Sequence, residues 1–257
     1  MTQVIKTSEA WRALRTGDLK DHSIGFVPTM GSLHAGHVSL IKRSLQENAI
    51  TVVSIFVNPT QFNDPKDLER YPRKDEEDLA LLRSLQVDYV FFPDYKTLYP
   101  DDYQFRVTES IISSIMEGSS RPGHFDGVLT VVMRLLNIIQ PSRSYFGEKD
   151  YQQYLLIREM VRSFFMPVEI IPCPTVRDAD GLALSSRNVL LTPEDRQKAP
   201  MLFRLLSSTQ STDAIMIELE RHGFHVDYII DYEGRRFGAV YLGKVRLIDN
   251  VPLNETH

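Results

Sequence analysis

The sequence predicts an α/β protein: a Rossmann-like doubly wound parallel sheet followed by a small α+β C-terminal domain. Two observations carry the sheet. Short β-branched runs alternate with longer stretches of helical spacing through the first two thirds of the chain. Those runs lack polar alternation, residues 52–57 carrying only Ser54, which is how strands read when helices cover both faces. A third observation carries the division: after about residue 175 the pattern changes to helix starts and short glycine-separated strands. The expected domains are therefore 1–175 and 176–257. At 257 residues and 42% hydrophobic, the chain can bury a sizeable core without crosslinks.

Taken in order, the expected strands are 23–28 (SIGFVP), 50–57 (ITVVSIFV), 87–92 (VDYVFF), 144–146 and 168–172. Between them, 38–47, 73–84, 125–140 and 150–165 have helical spacing. The last places Tyr154, Ile157, Val161 and Phe164 in one apolar stripe that would cover a sheet face. Further on, Thr192-Pro193-Glu194 reads as an N-cap with proline at the first helical position. A second helix is expected over 212–222, then strands over 225–230 and 244–248. Internal repeats and low-complexity tracts are absent from the sequence.

Charge and cysteine content exclude several classes. Lys and Arg number 29 against 34 Asp and Glu, a net charge of −5, so no global positive field draws the protein to nucleic acid or anionic lipid. Any anion site must be local. Cys173 is the only cysteine, which excludes an intrachain disulfide framework and a cysteine-cluster metal site and fits a reducing compartment. The N-terminus lacks the apolar stretch of a secretory signal, and the most apolar segment, 128–139, is too short to span a bilayer and carries Arg134. A soluble cytoplasmic protein without a membrane or nucleic-acid partner is expected.

Open parallel sheets place ligands beyond the carboxyl ends of their strands, so the residues after each strand are the ones to inspect. After the first comes Thr29-Met30-Gly31-Ser32-Leu33-His34-Ala35-Gly36-His37. Gly31 and Gly36 have the spacing of a P-loop, but His37-Val38 stands where Lys-Ser/Thr is required, which excludes a Walker site. What remains is a glycine turn feeding a helix N-terminus that favours an anion, with His34 and His37 able to donate to phosphate. A metal-binding His-x-x-His pair, or two capping histidines, are the alternatives.

The second strand runs into Asn58-Pro59-Thr60-Gln61, which is also a common turn start. The polar stretch 63–77 reads as a flap or as solvated surface. Residues 117–127 (EGSSRPGHFDG) point either to close backbone approach to a ligand or to a flexible loop. Gly147-Glu148-Lys149-Asp150 brings an ammonium to a third strand end, and Ser185-Ser186-Arg187 offers hydroxyls and a planar fork for a polyphosphate. Asp178 and Asp180 read as a metal pair or as a simple turn.

Taken together, these segments resemble the nucleotidyltransferase superfamily, with His34-Ala35-Gly36-His37 as its HxGH element. More closely they resemble the pantoate–β-alanine ligase (pantothenate synthetase) family. PTMGSLHAGH, SIFVNPTQF, YPR, RPGHFDGV, FGEKDYQQ, DGLALSSRN and RLIDN occur in that family's order and cover nearly the whole chain. The resemblance implies ATP contacts from Met30, Gly31, Ser32, Leu33, His34, Ala35, Gly36 and His37, from Gly147, Glu148, Lys149 and Asp150, from Val176, and from Leu184, Ser185, Ser186 and Arg187. His37, His34, Lys149 and Arg187 are the implied catalytic groups. Gln61 and Gln153 would hold pantoate, with Gln61 also at β-alanine.

The resemblance further implies Mg²⁺ with ATP and a homodimer; the residues that would meet the ion are left unassigned. The implied chemistry condenses pantoate with β-alanine through a pantoyl adenylate. It needs no protein nucleophile, in agreement with the lack of an evident activated Ser, Cys or Lys pair. ATP elements fall on both sides of residue 175, so the active site is expected at the domain junction. Leu184 stands where methionine is usual, and the tail is shorter than usual between Asp231 and Lys244.

Overall fold

The computed structural model describes residues 1–253, which form two compact units. The first comprises Met1–Leu33, His37–Gly147 and Gln152–Cys173; the second comprises His34–Gly36, Glu148–Tyr151 and the described chain from Pro174.

In the first unit the order is β1 Gln3–Ile5, α1 Ser8–Thr16, β2 Ile24–Thr29, α2 Ala35–Glu47, β3 Ile50–Ile55, α3 Pro65–Arg70, α4 Asp75–Ser84, β4 Tyr89–Phe91, α5 Tyr95–Leu98, α6 Glu117–Ser120, α7 His124–Ile139, β5 Arg143–Gly147, α8 Tyr151–Ser163 and β6 Glu169–Cys173. The strands form one sheet in the order β1-β4-β3-β2-β5-β6, every pairing parallel. Phe26 lies opposite Val52 on one side and Ser144 on the other. From β4 to β6 this is the doubly wound order, which reverses between β2 and β5; ligands of such sheets sit at that reversal. Phe26, Val27, Val52, Val53, Val90 and Tyr145 are fully buried, as strands without polar alternation require.

All five expected strands of this sheet are present. The strand β1 and helix α1 have no counterpart among the expected elements; the three residues of β1 are too few to show a period. What secures them is tertiary: fully buried Trp11 of α1 donates its indole N–H to the Ile139 carbonyl, 3.2 Å away at the end of α7. The stretch 63–77, expected as a flap or solvated surface, contains α3, capped by Asp64, whose side chain accepts from the Lys66 N–H. The apolar stripe on α8 holds for Tyr154, Ile157 and Val161, all buried, but not for Phe164, which is 57% exposed. The helix stops at Ser163, and Phe165 turns left-handed (φ 52°), so the periodicity no longer applies at 164.

The second unit contains α9 Pro193–Lys198, α10 Met201–Leu206, α11 Thr212–Arg221, β7 His225–Tyr232, β8 Arg235–Leu242 and β9 Val245–Pro252. Thr192 caps α9 as expected, accepting from Asp195 N–H at 3.1 Å. The sheet is antiparallel, β7-β8-β9, and its middle strand is absent from the sequence-based expectation. Of the glycines that read as separators, Gly234 and Gly243 lie in its hairpin turns and Gly238 inside β8: Glu233-Gly234 has positive φ at both residues (45° and 72°), which matches the right-handed twist of the flanking strands. Leu202, Leu206, Ile215, Leu219, Val240 and Leu247 form the core under this sheet.

Candidate active site

The loop after β2 is built on a buried carboxylate. Thr29 donates its hydroxyl to the Ser54 carbonyl (2.7 Å) and accepts the Gly31 N–H (3.1 Å). Gly31 and Ser32 then both turn left-handed, with φ of 78° and 52°. This aims the next two amides the same way, and Asp78 of α4 receives both: Ser32 N–H to Oδ2 at 2.6 Å and Leu33 N–H to Oδ1 at 2.8 Å. A Cβ at residue 31 would lie 3.0 Å from Asp78 Oδ2 in a backbone region that side chains avoid, so glycine is required there. These amides of the glycine turn are thus taken by the protein's own side chains. Asp78, only 3% exposed, was missed by sequence reasoning. One signal was present: in an acidic run it stands four residues before buried Leu82, on the helix face that should be apolar.

Beyond β3, Asn58 is 1% exposed and organises Gln61. Its amide nitrogen donates to Gln61 Oε1 (3.0 Å) and to the Gly127 carbonyl (3.2 Å), while its oxygen accepts from the Tyr99 hydroxyl (2.8 Å). Burial pushes the Tyr99 hydroxyl up to about 12, so it remains a donor. The Gln61 carbonyl in turn lies 2.8 Å from His124 Nδ1 and 3.3 Å from Arg121 Nη2. Gly127 is one glycine of the segment 117–127 that packing requires: a Cβ there would stand 2.4 Å from the Thr60 carbonyl oxygen. The close approach at this position is chain against chain, neither against a ligand nor a loose loop. Gln153 is half-buried on α8 beside buried Gln152, whose amide braces Glu117 N–H and the Ile112 and Ile115 carbonyls. His37 lies in the first turn of α2, Met30 is the first residue after β2, and Gly147 is the last residue of β5.

In the second unit, His34 Nδ1 accepts the Gly36 N–H at 3.1 Å, which leaves the proton of the neutral ring on Nε2. Burial lowers the His34 pKa, the nearby Lys149 ammonium lowers it further, and Asp150 partly opposes them. The 148–150 turn is anchored by Asn250 of β9, which donates to the Glu148 and Lys149 carbonyls at 2.8 and 2.9 Å. Ser185 caps the 3₁₀ turn Ser186–Leu190 by accepting the Arg187 N–H (3.2 Å), and the Leu184 N–H bonds to the Val176 carbonyl (3.0 Å). Arg177 grips Asp249 with both terminal nitrogens, at 2.5 and 2.9 Å, and stacks 3.8 Å from the Phe203 ring centroid. Asp178 and Asp180 both pair with Arg196, at 2.8 and 2.5 Å, and Gly181 N–H closes onto the Asp178 carbonyl. Of the two readings of that pair, the turn is the one observed. Among the described residues no three His, Cys, Asp or Glu side chains gather as a metal cage.

The first unit is thus a doubly wound α/β unit whose expected functional loops leave adjacent parallel strands at the reversal of strand order. The family model for pantoate-beta-alanine ligase matches residues 3–252. The pantothenate synthetase of Bdellovibrio bacteriovorus is 52% identical over 256 residues, covering 98% of this chain and all of that protein; that of Coxiella burnetii is 50% identical over 252 residues, covering 98% and 97%. Among solved structures, a pantoate-beta-alanine ligase from Francisella tularensis, complexed with beta-gamma ATP and beta-alanine, superposes with a TM-score of 0.93 at 44% identity, covering 98% of each chain. A pantothenate synthetase from Thermus thermophilus gives 0.89 at 42%, covering 97% and 99%. The chain belongs to the pantoate–β-alanine ligase family.

Proposed function

We propose that this protein condenses pantoate with β-alanine to pantothenate at the expense of ATP, through a pantoyl adenylate. Full-length identity of 52% to a pantothenate synthetase carries the reading. In the first step a pantoate carboxylate oxygen attacks the α-phosphorus of ATP and pyrophosphate leaves. In the second the β-alanine amine attacks the acyl carbon, loses a proton, and AMP leaves.

The chain's residues position substrates and neutralise developing charge. His37 and Lys149 donate to phosphate oxygens, as do Ser185, Ser186 and Arg187. His34, kept neutral by its surroundings, donates through Nε2–H. Gln61 and Gln153 orient pantoate through neutral amides, which leave the attacking carboxylate its charge. Gln61 also meets β-alanine. Mg²⁺ enters as the Mg–ATP substrate, and the described donor set fits an ion carried on phosphates better than one held by protein ligands alone. A cytoplasmic homodimer completes the reading; no helix among the described residues is long and apolar enough to cross a membrane.

Incubation with Mg–ATP, pantoate and β-alanine tests it. AMP and pyrophosphate in equal amounts, with pantothenate, are expected, and ¹⁸O from the pantoate carboxylate should appear in AMP. ADP as the nucleotide product would overturn the adenylate route.

A further inference from the structure

We infer that Asp78 is a positioning residue for ATP: its carboxylate holds the left-handed turn Gly31–Leu33 that sets where the histidine-bearing start of α2 begins. The inference rests on the reading of residues 30–37 as an ATP-binding loop.

Three features of the first unit support it. Consecutive left-handed residues at 31 and 32 turn the Ser32 and Leu33 amides toward one acceptor. That acceptor belongs to the protein: each carboxylate oxygen of Asp78 takes one amide. With 3% exposure, the carboxylate has little water to replace those bonds, so their loss leaves a buried donor, a part-buried donor and a strained turn. Asp78 lies in the first turn of α4, outside every segment expected to touch a substrate. Its effect on ATP must therefore pass through the backbone of residues 31–33.

Asp78→Asn preserves shape but turns one acceptor into a donor facing an amide N–H. In the full-length protein it should raise the ATP dissociation constant about 10- to 100-fold, the scale of a buried charge-assisted bond. The KM for ATP should rise with it and kcat should fall, because the same turn leads to His37, while the KM for pantoate stays within about threefold, a split that general loosening of the fold would not produce. ATP binding within twofold of wild type in folded Asp78→Asn overturns the inference. His34→Ala and His37→Ala separate the two levels: if they weaken ATP binding while Asp78→Asn does not, only the role of Asp78 fails. If none of the three changes ATP binding, the loop is not the ATP site and the inference falls with that reading. Should Asp78→Asn not fold, amide exchange in the wild-type protein decides. The Ser32 and Leu33 amides are expected among the slow-exchanging class, and exchange at loop-like rates overturns the clamp.

Discussion

The two units hold their functional residues by different physical means. In the first, buried side chains brace the loops: Thr29 and Asp78 on the backbone of residues 31–33, Asn58, held by Tyr99, on the Gln61 side chain, and Gln152 on the backbone of 112–117. In the second, arginines carry the load: Arg177 on Asp249 and Phe203, Arg235 on Asn250 and Tyr151, Arg236 on Asp231, and Arg196 on Asp178 and Asp180. The first unit has a parallel sheet buried on both faces, so loop-bracing groups lie in the core, where neutral hydrogen bonds avoid the desolvation cost of charge and the carboxylate among them, Asp78, is compensated by two amide donors. The second has a three-stranded sheet and a smaller core, and long guanidinium arms cover aromatic surface while reaching several acceptors at once.

The strongest break of this contrast is His37→Ala, in the first unit. Pyrophosphate release in a single turnover should slow by roughly 10²- to 10⁴-fold, the usual loss for a positioned donor of charge or protons. Release near the wild-type rate would remove His37 from the chemistry.

Next in size is Arg177→Met. Asp249 is 4% exposed and would lose its buried partner, which costs about 3–5 kcal/mol. Thermal unfolding should show the loss, and the double replacement Arg177→Met with Asp249→Leu should recover much of it. Equal losses in the single and double variants would refute a charge-based anchor.

A smaller effect separates the units by pH. Burial raises both Tyr99 and Tyr145, in the first unit, to about 12 from an ordinary 10.0. The unfolded chain loses these protons first, so their stabilisation is complete below pH 10 and declines as pH rises toward 12. Urea midpoints measured across that window should fall with pH, and Tyr99→Phe should flatten the slope. An unchanged slope would mean that Tyr99 titrates normally.

The smallest concerns His34. Its pKa is held below 6.5, first by burial and then by Lys149. Acidification charges the unfolded chain before the native ring, so this group's stabilisation is present above 6.5 and fades below it. An NMR titration should place His34 under 6.5, and Lys149→Met should raise its midpoint only partly. Full return to the ordinary value would make the lysine, not burial, the main cause.

Much of this was legible from residues alone. Five of the six strands of the large sheet could be read because a strand buried on both faces is predominantly apolar, a purely local signature. Ordered motifs such as LHAGH and LALSSRN named the family because their chemistry is contiguous in the chain. Thr192 announced its helix through cap geometry, which spans only four residues. Other elements had no local signature. Strand β8, RRFGAVYL, hid behind the glycines of its own hairpins, and Phe164 kept a helical phase after the helix had ended.

Sequence by itself therefore determined the class of fold, the family and the candidate chemistry, since each rests on residues near one another along the chain. Only the tertiary structure decided what those residues stand on. Asp78 is 46 residues from the Ser32 amide it accepts, Tyr99 is 41 from the Asn58 oxygen it donates to, and Arg177 is 72 from Asp249. Gly127 is needed because a chain segment more than sixty residues away in sequence (Asn58 donates to its carbonyl across 69 residues) passes against it. Whether a polar side chain lies in water or in the core, and which distant backbone group it satisfies there, is settled by packing, and packing has no period to read.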